Sequence, residues 1–292
     1  MVKNSKLEIK VNDKFKNIRL RLFLPPVSLL FIITFILLKE SSFSIEGYVK
    51  IQKNIFFYLN SELSELPILQ FNLTQLGDAL ISLSLLSVFI VYTPKLWGAL
   101  LTSSIISLIV SFLLKKIFAV PRPSGMFDTN NFVVIGKTLS GSTSLPSGHS
   151  ITVFIVVTIL LFAFMPKGLV PKIICFVCFL TLGAVIAFSR VGVGAHYPLD
   201  VVIGSIIGYI VALIGIIINN KVNWWNWIQD KKYYSIFILS LTICVFAIIN
   251  KILMNNLLIF YFPLVSIFIT LYLMIKTYVK KQYKIKSFYI NN

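Results

Sequence analysis

Residues 169–219 read LVPKIICFVCFLTLGAVIAFSRVGVGAHYPLDVVIGSIIGYIVALIGIIIN. Two apolar runs, 169–188 and 198–219, flank a short polar insert. Each run is long enough to cross a hydrocarbon core of about 30 Å, which takes roughly 20 residues of helix. The insert holds Ser189-Arg190, two glycines and His196, and Pro198 and Asp200 open the second run. Glycine and proline end one helix and open the next. The pattern predicts a pair of membrane helices whose charged chemistry sits at one end, where the helices meet water.

The rest of the chain repeats the first half of that pattern. Over 292 residues it is 57% hydrophobic and 13% charged, with a mean hydropathy of +0.89, which excludes a soluble domain. Further apolar runs lie at about 22–38, 75–93, 95–117, 148–165, 233–250 and 256–275. Together they predict an all-α integral membrane protein of about eight helices. A six-helix membrane domain over 22–219 follows a basic cytoplasmic tail at 1–21, and residues 220–292 add two C-terminal transmembrane helices and a second basic tail. Pro25-Pro26 opens the first run and Lys39-Glu40 closes it with no small-residue cleavage site, so a retained helix is expected. Between Lys39 and Asn72, Tyr48, Ile51, Ile55, Tyr58 and Leu59 recur at helical spacing. This reads as a helix along the interface or as a packed helix of an outer cap.

A net charge of +17 would point to nucleic acid in a soluble protein. Here most Lys and Arg fall in short segments between apolar runs, the signature of topogenic charge, and no nucleic-acid partner is expected. Residues 1–21 hold seven of them against Glu8 and Asp13, with no apolar face. Placing both termini in the cytoplasm puts 18 of the 27 basic residues inside. Trp224, Trp225 and Trp227 then anchor at the cytoplasmic interface. With that orientation the runs near 95–117 and 169–188 end outside, and those near 148–165 and 198–219 begin there. Cys175 and Cys178 lie within an apolar run without a second pair or a nearby His, so packing rather than metal binding is expected.

Three polar clusters converge on that outer face: Lys115 with Arg122-Pro123, Pro146-Ser147-Gly148-His149, and Ser189-Arg190 with His196 and Asp200. Ser147 suits an N-cap, Gly148 allows close approach to the backbone, and the helix start attracts an anion. His149 at this terminus is placed to protonate a leaving oxygen. Pro121 and Pro123 stiffen the loop that presents Arg122, whose fork suits two phosphate oxygens, while Lys115 adds a point charge. Asp200 can accept the ring N–H of His196, fixing the tautomer and leaving the other nitrogen as a nucleophile. Three cations, two histidines and a carboxylate make a site for an anion that is attacked and released, phosphate above all.

The segments KKIFAVPRP (115–123), PSGH (146–149) and SRVGVGAHYPLD (189–200) resemble the type-2 phosphatidic acid phosphatase superfamily, the lipid phosphate phosphatases. Its pattern is Lys, six residues, Arg-Pro; then Pro-Ser-Gly-His; then Ser-Arg, five residues, His, three residues, Asp. No specified position departs from it, and the resemblance covers roughly 75–219. It implies a six-helix phosphatase core in which His196 is the nucleophile that becomes phosphohistidine, oriented by Asp200. His149 is then the acid for the leaving group and later the base for water. Lys115, Arg122, Ser147, Gly148 and Arg190 hold the phosphoryl oxygens, and no metal or other cofactor is implied.

The expected substrate is a membrane lipid phosphate or diphosphate, such as phosphatidate, phosphatidylglycerophosphate, undecaprenyl diphosphate or lipid A, met at the outer face of the cytoplasmic (inner) membrane. A lipid-to-lipid phosphotransferase shares the first half-reaction. A transporter with an anion site fits less well, because charge is nearly absent from the middles of the apolar runs. Residues 124–145 suit a loop over the site, with Phe127 and Phe132 to 135 available either to a lipid or to packing against helix ends, and Lys137 to a second phosphate.

Overall fold

In a computed structural model the chain is all helical, and no strand occurs among the described residues. These are 6–40, 42–222 and 224–290, with the side chains of 229, 231 and 280–290 set aside. Lys3 of the N-terminal basic segment lies outside the described residues, as do the side chains of Lys231, Lys280, Lys281, Lys284 and Lys286.

Thirteen α-helices follow in order among the described residues. They are α1 (Lys6–Lys16), α2 (Leu24–Lys39), α3 (Ile45–Ser64), α4 (Pro67–Gln75), α5 (Ala79–Leu85), α6 (Phe89–Tyr92) and α7 (Pro94–Phe118). Then come α8 (Pro123–Met126), α9 (Gly148–Phe164), α10 (Leu169–Gly192), α11 (Pro198–Lys221), α12 (Tyr234–Met254) and α13 (Tyr261–Ile290). Six segments, built on α2, α7, α10, α11, α12 and α13, are long and apolar enough to cross a membrane. The shorter α9, a largely apolar helix of 17 residues or about 25 Å, is the buried centre, packed against α7, α10 and α11.

The α9–α11 contact is close because glycines line it. A Cβ on Gly204 would lie 2.7 Å from the Ser147 carbonyl oxygen, and one on Gly208 would lie 2.5 Å from that of Ile151. Small residues let helix backbones approach where lipid supplies no hydrophobic drive for association. At the rim, α2 and α10 turn large apolar side chains outward, among them Phe31, Phe35, Ile173 and Val177. Cys175 and Cys178 ride on that same outward helix α10, as free thiols.

Three expectations are revised. The run at 75–93 is not one helix but the broken chain α4–α5–α6. Asp78 caps α5 by accepting from Leu80 N at 2.8 Å, and Gly77 is pressed so tightly on His149 that a Cβ would sit 2.6 Å from its Cβ. Residues 6–16 do have an apolar face: Val11 and Phe15 are buried, and the Glu8 carboxylate accepts from Lys95 N, holding α1 on the start of α7. Trp225 and Trp227 are drawn into the bundle, one donating to Thr102 at 2.8 Å and the other stacking on Phe237 at 5.2 Å.

Helix α3 takes the cap position. Its inner face is Tyr48, Val49, Gln52, Phe56 and Asn60, whereas Ile51, Ile55 and Tyr58 point outward. The hydrophobic spacing named the helix and misnamed its face, because polar Gln52 and Asn60 are what the interior uses. Asn60 donates to the carbonyls of Val133 and Val191, and Gln52 accepts from Leu199 N at 3.0 Å.

The last two helices are not detached from the rest. Lys251 of α12 pairs with Asp78 at 2.9 Å, and Ser87 meets Ser266 and Thr270 of α13 at 3.3 and 3.0 Å. They brace the broken segment α5–α6 from outside.

Candidate functional site

The polar clusters meet at one end of the bundle, formed by the C-termini of α7 and α10 and the N-termini of α9 and α11. Helix α7 stops because Ala119 turns left-handed (φ 46°), returning its N–H to the Lys115 carbonyl at 3.0 Å, and Pro121 and Pro123 follow. The following loop is tied down by Arg122 N to Gly141 O and Ser144 N to Val120 O. Arg122 therefore enters the site from a fixed backbone.

His196 is 1% exposed. Its Nε2 lies 3.3 Å from Arg122 Nη1, which also donates to the Ala195 carbonyl at 3.0 Å. A guanidinium only donates, so Nε2 carries the lone pair and the proton sits on Nδ1. Behind Nδ1, at 3.4 Å each, lie Asp200 Oδ2 and Ser144 Oγ. Ser144 in turn donates to Asp200 Oδ2 at 2.5 Å. The ring N–H thus faces a carboxylate and a hydroxyl that are bound to each other, where the sequence alone suggested the carboxylate. Burial, and then the fields of Arg122, Arg190 and Lys115, hold His196 well below its usual pKa, against the opposing Ser144 hydrogen bond. It is neutral at pH 7, with its lone pair on Nε2.

Asp200 is fully buried in the first turn of α11 and accepts three donors. Besides Ser144 these are Tyr48 Oη to Oδ1 at 2.8 Å and Tyr197 N to Oδ2 at 2.9 Å. Burial and then the neighbouring Asp200 carboxylate push the Tyr48 phenol well above its usual pKa, so it stays protonated and donating. A buried carboxylate needs such donors to remain tolerable in a low dielectric.

Arg190, 6% exposed in the last turn of α10, donates to Thr74 Oγ1 at 2.7 Å, while its buried Nε has no protein partner. Its carbonyl accepts from Ala195 N and His196 N, which fixes the turn that carries the histidine. Ser147 caps α9, its Oγ accepting from Ser150 N at 3.4 Å and from Ser150 Oγ at 2.9 Å. It is wholly buried, so its hydroxyl orders the helix start rather than standing at its mouth. Gly148 is partly exposed there, and a Cβ on it would lie 3.5 Å from Lys115 Nζ. Lys115 therefore holds its ammonium over the α9 N-terminus. His149, half-buried one residue further on, lies within electrostatic reach of Arg190, His196, Lys115 and Arg122.

In the 124–145 segment Phe127 and Phe132 take the packing alternative rather than the lipid-facing one. Phe132 is buried against Phe56, 5.4 Å between ring centroids, and Phe127 stacks near Phe56 at 5.9 Å. Lys137 is exposed, and no hydrogen bond or ion pair ties it to the site. The aromatic group Phe56, Phe57, Phe127, Phe132 and Tyr197 instead locks the loop to α3.

Four residues of this end went unread in the sequence. Tyr48 was seen only as a helix position, although Tyr48, Gln52, Phe56 and Asn60 recur every four residues and mark one inward face. Thr74, partner of Arg190, and Ser144, partner of Asp200, stand in segments whose composition carries no such signal. Gly77, which seats His149, lay unremarked inside a run read as one helix.

A PAP2 superfamily profile matches residues 96–224. No curated protein matches the chain. Among solved structures, the crystal structure of Aquifex aeolicus LpxE is similar at 24% sequence identity, covering 57% of this chain and 94% of that one, with a TM-score of 0.47. The family match spans all of the residues from Lys115 to Asp200 that meet at the bundle end, and the chain carries a PAP2 superfamily domain over residues 96–224.

Proposed function

We propose that this chain is a membrane phosphatase that removes phosphate from a lipid phosphate or diphosphate through a phosphohistidine on His196. The observation that carries the proposal is the polarisation of one imidazole. Arg122 lies on Nε2 at 3.3 Å, and Asp200 and Ser144 lie behind Nδ1 at 3.4 Å. That arrangement leaves a lone pair pointing at a guanidinium, the group best matched to phosphate oxygens.

In the first half-reaction Nε2 attacks phosphorus and the bond from phosphorus to the lipid oxygen breaks. His149, which takes up a proton once the phosphate's negative charge offsets the surrounding cations, gives that proton to the oxygen. Arg122, Lys115 and Arg190 stabilise the phosphoryl charge, together with the N–H groups at the start of α9 that Ser147 orders and Gly148 leaves open. Positive charge grows on the His196 ring, and Asp200 with Ser144 answers it at Nδ1–H. In the second half-reaction His149 takes a proton from water, whose oxygen attacks phosphorus. The P–N bond breaks, releasing inorganic phosphate and neutral His196. Protein cations and helix ends supply the charge stabilisation, so the reaction is proposed to be metal-independent.

The positive-inside bias supports cytoplasmic termini and a site on the outer face of the cytoplasmic membrane. Within this reading residues 22–219 form the phosphatase membrane domain, and 220–292 add the two bracing helices and a basic tail. The test is phosphate release by purified protein from phosphatidate, phosphatidylglycerophosphate, undecaprenyl diphosphate and lipid A, with and without EDTA, beside His196→Ala. Release that survives EDTA and vanishes in the variant supports the proposal. Equal release by both proteins would sink it.

A further inference from the structure

A second cationic site lies at the other end of the bundle. A cavity of about 720 Å³ opens where the end of α1, the 3-10 turn Leu20–Phe23 and the α9–α10 connection come together. Helix α9 runs from the candidate active site to this cavity, which sets the two about 25 Å apart. Lys14, Arg19, Arg21, Lys167 and Lys172 line it, and no Asp or Glu does. The two ion pairs among the described residues are His196–Asp200 and Lys251–Asp78, so none of the five has a carboxylate partner there. Lys14 is held below its usual pKa by partial burial first, then by Lys10, Lys172 and Lys167, with Cys175 opposing.

Topogenic charge alone asks for Lys and Arg near a membrane face, solvated and spread apart. These five instead come from three separate segments and turn toward one concavity, against their mutual repulsion. The floor is apolar, with Leu22, Phe162 and Phe176. Leu22, just before α2, and Ile173 and Phe176 of α10 line it, and the spans that begin there are the two with the least buried apolar surface, so acyl chains of the surrounding leaflet lie beside the cavity. Gly168, which also lines it, gives the start of α10 no side-chain cap.

We propose that this groove is a binding site for the headgroup of an anionic phospholipid, its phosphate held by Lys14, Lys167, Lys172 and the two arginines and its chains lying along α2 and α10. The bound lipid would tie α1 to the α9–α10 connection and so steady the end of the helix that carries His149.

The test uses full-length protein in a neutral detergent, titrated with phosphatidylglycerol, phosphatidylcholine, or inorganic phosphate with glycerol 3-phosphate. Thermal unfolding and native mass spectrometry are the readouts. Phosphatidylglycerol is expected to raise the midpoint and to be retained, with neither effect from phosphatidylcholine or the soluble anions. Lys14→Gln/Lys167→Gln/Lys172→Gln is expected to weaken binding by roughly 5-fold for each charge removed. A matched control, Lys221→Gln/Lys232→Gln/Lys276→Gln, removes three exposed cations from outside the groove and is expected to bind as the native chain does. Equal weakening in both variants would reduce the effect to net charge and overturn the proposal. So would retention of full affinity by the groove variant, or a shift of the same size with the soluble anions.

Discussion

Tyr48→Phe removes one oxygen and leaves the ring in place. In the native chain that oxygen donates to Asp200 Oδ1 at 2.8 Å, from a helix about 150 residues away in sequence. Both groups are buried, at 5% and 0% exposure, so no bulk water takes over the lost bond. A hydrogen bond to a charged group is worth about 1.5–3 kcal/mol. If the whole of that value acts while charge grows on His196, kcat/KM falls by about 10- to 150-fold. Tyr48 is a positioning residue, since it reaches His196 only through Asp200. That makes a double-mutant cycle the proper assay: phosphate release by the native chain, Tyr48→Phe, Asp200→Asn and the double variant. In the Asp200→Asn background Tyr48→Phe is expected to cost little more. The reasoning is refuted if Tyr48→Phe costs as much there as in the native chain, because the tyrosine would then act without the carboxylate.

The remaining predictions concern the other parts of the site. His196 must be neutral to attack, and its pKa is lowered, so the acid limb of kcat/KM against pH lies below about 6.5. Arg122→Gln removes one positive field while burial remains, and a pH–rate profile should show the limb moving part of the way up. His149→Ala should lose far more rate on a lipid phosphate than on an aryl phosphate whose phenol leaves without a proton; equal losses on both would remove it as the acid. Gly204→Ala drives a methyl to 2.7 Å from the Ser147 carbonyl oxygen, and a cost of about 1–3 kcal/mol in thermal unfolding should come with lost activity. Gly125→Ala, whose methyl meets nothing closer than 3.9 Å, should be neutral. Lys251→Met breaks a half-exposed pair with Asp78 and should cost no more than about 1 kcal/mol. Asp78→Ala also uncaps α5 and should cost about 1–2 kcal/mol.

What the sequence made legible was whatever repeats or carries charge. Apolar run lengths marked the spanning helices, and Pro121, Pro123, Pro198 and the glycines marked where they end. The spacing of Lys115, Arg122, His149, Arg190, His196 and Asp200 predicted one cluster, and Arg122 on His196 with Lys115 over Gly148 brings its members together. The run 75–93 misled because composition alone does not register where an apolar segment breaks, here between Gln75 and Ala79, where Gly77 meets His149 and Asp78 caps the next helix. Helix α3 misled in the opposite way: its outward apolar residues, facing lipid or the interface, looked like its packed face. In a membrane protein the exposed surface is as apolar as the core, so hydrophobicity no longer tells inside from outside. Ser144 and Thr74 were beyond reach because a hydroxyl becomes functional only through its partner, and those partners lie 56 and 116 residues away.

The most direct test of the account is the state of His196 in mid-reaction. Protein carrying His149→Ala, so that the second half-reaction is slowed, is mixed with an aryl phosphate labelled in its phosphate, whose phenol leaves without a proton from His149, and quenched in alkali. The account predicts label on the chain that withstands alkali, is lost in acid, and maps to the peptide containing His196. The same experiment with His196→Ala should give none. Phosphate released at an undiminished rate with no labelled histidine, or label that persists without His196, would contradict it.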